Sequence, residues 1–285
     1  MSLLQIILIS IVQGITEWLP ISSSGHVLLL TSFFDIRGED EILINAMAHL
    51  GTLFAIPVYF RKDIALAIVG AFELIGIGRK SDGPSPAAHL ASMILMATPV
   101  ALLLAVAYTQ LPDNLTDPIR GLWTVIAATI GFALLLWWAD VKGGNDRTEA
   151  DMTLKDAFLI GATQFIAAIV PGTSRSGITM TTARALGFSR TEAARFSMLI
   201  GAPLLAASGA YAFLELMSAE PGSIALTTSD AALIVILSFV SALASIWALM
   251  ALLTRISFLP FVIYRLLLGA ALILASPIGF GLILA

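Results

Sequence analysis

The sequence predicts an all-α polytopic membrane protein: six transmembrane helices plus two re-entrant helical hairpins, laid out as an inverted-topology repeat. Three observations carry that prediction. Of 285 residues, 58% are hydrophobic and only 12% charged, with a mean hydropathy of +0.95; a soluble domain carries roughly a quarter charged residues. Two polar breaks interrupt apolar helices too short to cross a bilayer. The two breaks also match each other at a fixed separation along the chain.

A full span needs about 20 apolar residues. Leu3 to Val12 supplies half of that, Gln13 to His26 is polar, and Val27 to Phe34 supplies another half. Two half-length helices around a polar turn read as a hairpin over 3–34, dipping to mid-membrane and returning. Non-helical backbone at that depth is tolerable only where protein or water covers it. Pro20 has no N–H and disfavours helix at Leu19, so the first half-helix should stop there. Asp35 to Glu41 is a charged loop, and spans follow at 44–60, 89–108 and 119–138. Between the first two lie Arg61-Lys62-Asp63, an amphipathic segment, and a loop carrying Arg79, Lys80 and Gly83-Pro84-Ser85-Pro86. Leu111 to Asp117 is a short acidic turn. The third span ends in Trp137-Trp138, an aromatic pair suited to a membrane interface.

Asp140 to Asp156 is the most charged stretch and reads as a solvated loop. The second hairpin covers 157–186: a short apolar helix, a stop at Pro171-Gly172-Thr173-Ser174-Arg175-Ser176-Gly177-Ile178-Thr179, and a polar-faced helix to Leu186. Ser189-Arg190-Thr191-Glu192 is a capping box that starts a new helix. Spans at 192–214, 231–252 and 258–274, or beyond Pro277, complete the chain.

Gln13 and Pro20 match Gln164 and Pro171 at an offset of 151, and three spans follow each break. The repeats run over about 1–140 and 153–285 within a single membrane domain. Three crossings between copies of one motif turn the second copy over, the plan of many transporters whose broken helices meet at the midplane. Arg61, Lys62, Arg79, Lys80, Lys142, Arg147, Arg190 and Arg255 fall on one side, against Arg37 and Arg120 on the other. The positive-inside rule makes the first group cytoplasmic, so both termini and the mouth of the first hairpin should face outward. No Lys or Arg precedes Arg37, so the first apolar segment lacks a signal peptide's basic region and is expected to stay in the mature protein. The chain has no cysteine, which excludes disulfides, thiolate metal sites and cysteine nucleophiles. No basic tract suggests nucleic acid, and nothing in the sequence specifies or rules out a homodimer.

The breaks hold the residues that can carry chemistry. Glu17 is an ionisable group in a membrane segment, which is costly and usually functional. Its competing readings are a salt bridge to Arg175 that holds the hairpins together, and a catalytic carboxylate that orients a metal, a water or a serine. Gln13, one helical turn away, can only hydrogen-bond. Ser22, Ser23 and Ser24 suit helix capping, and capping hydroxyls can also donate to a phosphate. His26, three residues past Ser23, is read as a nucleophile or as the acid for a leaving group. Arg175 is a guanidinium at bilayer depth whose planar fork suits phosphate, and Ser174, Ser176 and Thr179 add hydroxyls around it. His49 and His89 are expected to be structural, and Arg184 is ambiguous.

The run from Gln13-x-x-x-Glu17 through Leu-Pro-Ile-Ser-Ser-Ser-Gly-His26, together with Pro171-Gly-Thr-Ser-Arg-Ser-Gly-Ile-Thr179, resembles the bacterial undecaprenyl-diphosphate phosphatase family of the bacitracin-resistance type. The resemblance covers the whole chain in length and segment order. It implies an integral-membrane phosphatase of the bacterial inner membrane that recycles the lipid carrier of cell-wall synthesis, acting on a polyprenyl diphosphate among membrane lipids. It places Glu17, Ser23 and His26 on the first motif's functional positions, and Ser174, Arg175 and Thr179 on the second's. It also implies a divalent cation, Mg²⁺ or Ca²⁺, which one carboxylate such as Glu17 could hold only with the diphosphate's own oxygens. The inverted repeat by itself fits a secondary transporter or a polyprenyl-phosphate flippase equally well. Phosphate release in detergent would separate those readings from the enzyme.

Overall fold

A computed structural model describes residues 2–34, 36, 39–78, 85–110, 112, 121–217 and 226–275, and it is helical throughout those segments apart from turns, one short 3₁₀ turn and an isolated bridge. Arg37, Arg79, Lys80, Arg120, the 113–117 part of the acidic turn and any extension past Pro277 lie outside the described residues, as does the side chain of Ser24.

Thirteen helices are described: α1 Leu3–Trp18, α2 Ser23–Phe33, α3 Glu39–Tyr59, α4 Arg61–Leu74, α5 Pro86–Ala97, α6 Pro99–Thr109, α7 Leu122–Lys142, α8 Leu154–Ala162, α9 Gln164–Ile169, α10 Arg175–Ala185, α11 Arg190–Met217, α12 Thr228–Leu253 and α13 Leu259–Ala275. Among the described residues five stretches are long and apolar enough to cross a membrane: Asp40–Tyr59, Pro86–Tyr108, Leu122–Lys142, Arg190–Leu214 and Thr228–Leu253. They correspond to five of the six expected spans. The sixth, α13, is a shorter apolar helix. The second span bends between α5 and α6, where Pro99 takes the first position of a new helix.

Each break forms as its residues require. α1 stops at Trp18, with Leu19 extended before Pro20. α2 then starts at Ser23. The second entry helix is itself divided: α8 ends at Ala162 and α9 runs to Ile169, so the single helix expected up to Val170 is two. Ser174 then caps α10, its Oγ accepting from Gly177 N at 3.1 Å. Ser189 caps α11 through Glu192 N at 3.3 Å, one half of the expected capping box, while Ser189 N donates to Arg147 O at 3.0 Å and the Glu192 carboxylate accepts from Arg195.

The core around the breaks depends on close helix approach. α1 and α3 both pack on α12. A Cβ on Gly14 would sit 2.0 Å from Ser241 Oγ and 2.7 Å from Ser238 O, so only glycine lets α1 lie this close to α12. Trp18 is fully buried, and its indole N–H donates to Thr52 O on α3 at 3.2 Å. At the far end of α10, fully buried Arg184 pairs with Asp140 at 3.0 Å and donates to Gly144 O at 2.6 Å. Arg190 joins the same carboxylate at 2.7 Å. This settles Arg184 as a structural anchor for α10. A buried pair of this kind costs about 3–5 kcal/mol to break from one side.

Candidate active site

The two breaks meet at Glu17. Its Oε1 accepts from Arg175 NH2 at 2.9 Å. Its Oε2 accepts from Ser23 Oγ at 2.7 Å and from Gln13 Nε2 at 3.0 Å. Chain separation is large, but the geometry follows from local rules. Glu17 occupies the last turn of α1 beside its stop, while Ser23 and Arg175 are the first residues of α2 and α10. Three further contacts fix Arg175. Its guanidinium lies over the Trp18 ring, 4.7 Å from the centroid. NH1 reaches Ser197 O at 3.4 Å. A Cβ on Gly201 would fall 1.6 Å from NH1, so α11 makes room for the cation by having no side chain there.

A cavity of about 240 Å³ opens over this cluster, lined by Glu17, Ser23, Ser174 and Arg175, with His49 and Gln164 on its walls. Sequence reasoning set His49 aside as structural. In fact its Nε2 lies 3.6 Å from Glu17 Oε2. Its Nδ1 is 2.6 Å from Asn45 O, so Nδ1 carries the hydrogen and Nε2 is left facing the carboxylate. A signal existed in the sequence: Asn45, His49 and Thr52 repeat at helical spacing along one face of an apolar span.

Other expected site residues are placed elsewhere. His26 does not line the cavity. Its Nδ1 lies 2.7 Å from Ser22 O and its Nε2 2.5 Å from Tyr264 OH, with the two rings stacked. With both ring nitrogens engaged, the imidazole turns back on its own helix start and not toward Glu17. Ser22 is buried, and its carbonyl receives that ring. Ser176 Oγ donates to Leu19 O at 2.9 Å, stitching α10 to the first break. Thr179 Oγ1 and Ser197 Oγ are 2.6 Å apart, which ties α10 to α11. The Ser176 hydroxyl thus joins the two breaks, and the Thr179 hydroxyl joins α10 to α11.

Arg265 was missed altogether, although it is a lone cation inside an apolar helix. It is fully buried, and among the described residues its hydrogen bonds go to backbone carbonyls: Thr129 O at 3.1 Å, Ala128 O at 3.3 Å, Gly172 O at 2.9 Å and Pro20 O at 3.4 Å. Gly172 and Pro20 belong to different breaks, so one guanidinium clasps both turns from behind.

Five helices long and apolar enough to cross a membrane, with an acid, a hydroxyl and a guanidinium gathered at one cavity, define a multi-pass integral membrane protein. Comparison with known proteins places it more closely. Residues 6–271 match the family model described as bacitracin resistance protein BacA, and the chain belongs to that family. It is 55% identical over 282 residues to an undecaprenyl-diphosphatase of Hyphomonas neptunium, covering 99% of each chain. It is 42% identical to the undecaprenyl-diphosphatase of Maricaulis maris, over 96% of this chain and 98% of the relative.

Proposed function

We propose that the protein hydrolyses undecaprenyl diphosphate to undecaprenyl phosphate and inorganic phosphate, with the terminal phosphate bound in the Glu17–Arg175 cavity. The observation that carries the reading is the contact of Glu17 with both Ser23 and Arg175, 2.7 Å and 2.9 Å away, at the wall of one cavity. Family membership, with relatives named for this activity, supports it. The supporting geometry also favours a plan in which two re-entrant hairpins, related by an inverted repeat, present their turns to each other. The positive-inside pattern supports a reading in which the cavity opens toward the outer face of the bacterial inner membrane.

The chemistry follows from charge. At rest Arg175 neutralises Glu17. A diphosphate entering the cavity competes for that guanidinium, which suits phosphate as well as carboxylate. Arg175 then stabilises the charge spread over the transferring phosphoryl oxygens, the largest contribution in such reactions. Glu17, released, takes the proton that Ser23 Oγ already donates to it. Either Ser23 oxygen or a water held by it attacks phosphorus, and the bond to the bridging oxygen breaks, with undecaprenyl phosphate as the leaving group. If Ser23 is the nucleophile, water then cleaves the phosphoserine. His49 Nε2 faces the same carboxylate and can take up that proton.

A divalent cation fits only as a shared ion. Among the described residues no three His, Asp or Glu side chains come together. The protein's hard oxygens are the Glu17 carboxylate and Gln13 Oε1, a buried acceptor with no partner among the described residues; phosphate oxygens would complete the set. Bound there, Mg²⁺ or Ca²⁺ would offset phosphate charge.

The test uses purified protein in detergent with a polyprenyl diphosphate and Mg²⁺ or Ca²⁺, and measures free phosphate. Turnover without a gradient or two compartments supports the enzyme. Silence in detergent combined with lipid movement across vesicles would replace it with the transporter reading.

A further inference from the structure

Gln164 is the most exposed contradiction between packing rules and this site. It is 1% exposed, and neither its amide nitrogen nor its amide oxygen has a hydrogen-bond partner among the described residues. Buried polar groups are nearly always paired, because an orphaned one forfeits its hydration with nothing in return. Gln164 opens α9 and lines the same cavity as Glu17 and Arg175.

The other break shows what is missing. Gln13 occupies the matching position, and its amide nitrogen is satisfied by Glu17, four residues on. Four residues after Gln164 stands Ala168, which with Ala167 forms cavity wall. The second break keeps the carboxamide but has a methyl group where the first has its acceptor. That leaves two unpaired amide hydrogens on a cavity that the Arg175 guanidinium also lines.

We propose that Gln164 is a further substrate-contacting residue: its carboxamide donates to phosphate oxygens of the polyprenyl diphosphate when that group fills the cavity beside Arg175. Its carbonyl then accepts from a water carried in with the substrate. The assignment rests on the phosphatase reading for the identity of the ligand. The lack of a protein partner for its amide does not depend on that reading.

The experiment measures melting temperature of the full-length protein in detergent against added methylenediphosphonate, a diphosphate mimic that cannot be hydrolysed, alongside phosphate release from the lipid substrate. Wild type should be stabilised by the mimic through mass action. Gln164→Met, close in length and lacking both polar atoms, should melt no lower than wild type without the mimic. It should need at least about tenfold more mimic for the same shift, with KM raised in step. Gln164→Glu, which puts a second negative charge beside the phosphates, should lose the shift as well. A Gln164→Met or Gln164→Glu protein with the wild-type response overturns the proposal. So does a Gln164→Met protein that melts lower yet binds the mimic normally, since that is the mark of a structural residue. Wild type that binds the mimic but releases no phosphate sinks the phosphatase reading and leaves this assignment standing. Wild type that releases phosphate but is indifferent to the mimic sinks this assignment and leaves the phosphatase reading standing.

Discussion

The two breaks use one backbone device for opposite chemistry. In each, a serine takes positive φ, 72° at Ser22 and 71° at Ser174, immediately before a new helix. Non-glycine residues rarely accept that conformation, and holding one costs on the order of 1–3 kcal/mol. The device aims the next residue. After Ser22 it aims Ser23, after Ser174 it aims Arg175, and both reach Glu17. The first break therefore supplies acid and hydroxyl, and the second supplies the cation. Neither break makes a site alone, which is why the fold must bring together residues 158 positions apart. Arg265 and Ser176, which touch the first break from the second half of the chain, serve that end.

The division of labour can be broken from either side. Arg175→Ala should lower phosphate release by about 10³ while the protein still inserts in the membrane, the upper range for loss of one preorganised charge-stabilising donor. Arg175→Lys should recover little, because a point charge does not replace a planar fork. Glu17→Gln should cost about 10²–10⁴, the usual range for a general base.

Gly201→Ala sharpens the comparison without touching either break. The new methyl would fall 1.6 Å from Arg175 NH1, so the guanidinium must leave Glu17 or the helix must move. Turnover should fall roughly 10²-fold, the scale of a 1 Å misplacement, measured in the same phosphate assay. Next come the two histidines. His49→Ala should reduce kcat by about 10²-fold, the lower end of general acid–base contributions. His26→Ala should act mainly on melting temperature, because its ring contacts Tyr264 and Ser22 outside the cavity. A larger kcat loss at His26 than at His49 would return the acid–base role to the first break.

Much of this was readable before any coordinates. Pro20 and Pro171 announce the breaks because each leads into a serine-rich turn, whereas Pro57 and Pro203 lie inside continuous helices, and the intramembrane Glu17 and Arg175 announce each other because neither charge is tolerable alone. The serine motifs marked the right turns but not their direction. Whether Ser176 faces the cavity or Leu19 O depends on how α10 is rotated, and that is set by long-range packing. His26 is read as catalytic from its place three residues after Ser23; the fold sets Tyr264, 238 residues away, against its ring, a contact the sequence does not show. His49 and Arg265 were overlooked for the opposite reason. They stand outside the motifs, on helices whose apolar character reads as plain membrane span, and their roles come only from what the fold sets against them.

The most direct test of a shared site is a double-mutant cycle on kcat/KM with Glu17→Gln and Arg175→Ala. If the two residues act on one phosphate as a unit, the double variant should be no more than about tenfold slower than the worse single variant, since groups that work together are far from additive. Losses that multiply, or an Arg175→Ala protein that turns over normally, would mean that acid and guanidinium work apart and that the meeting of the two breaks is architecture alone.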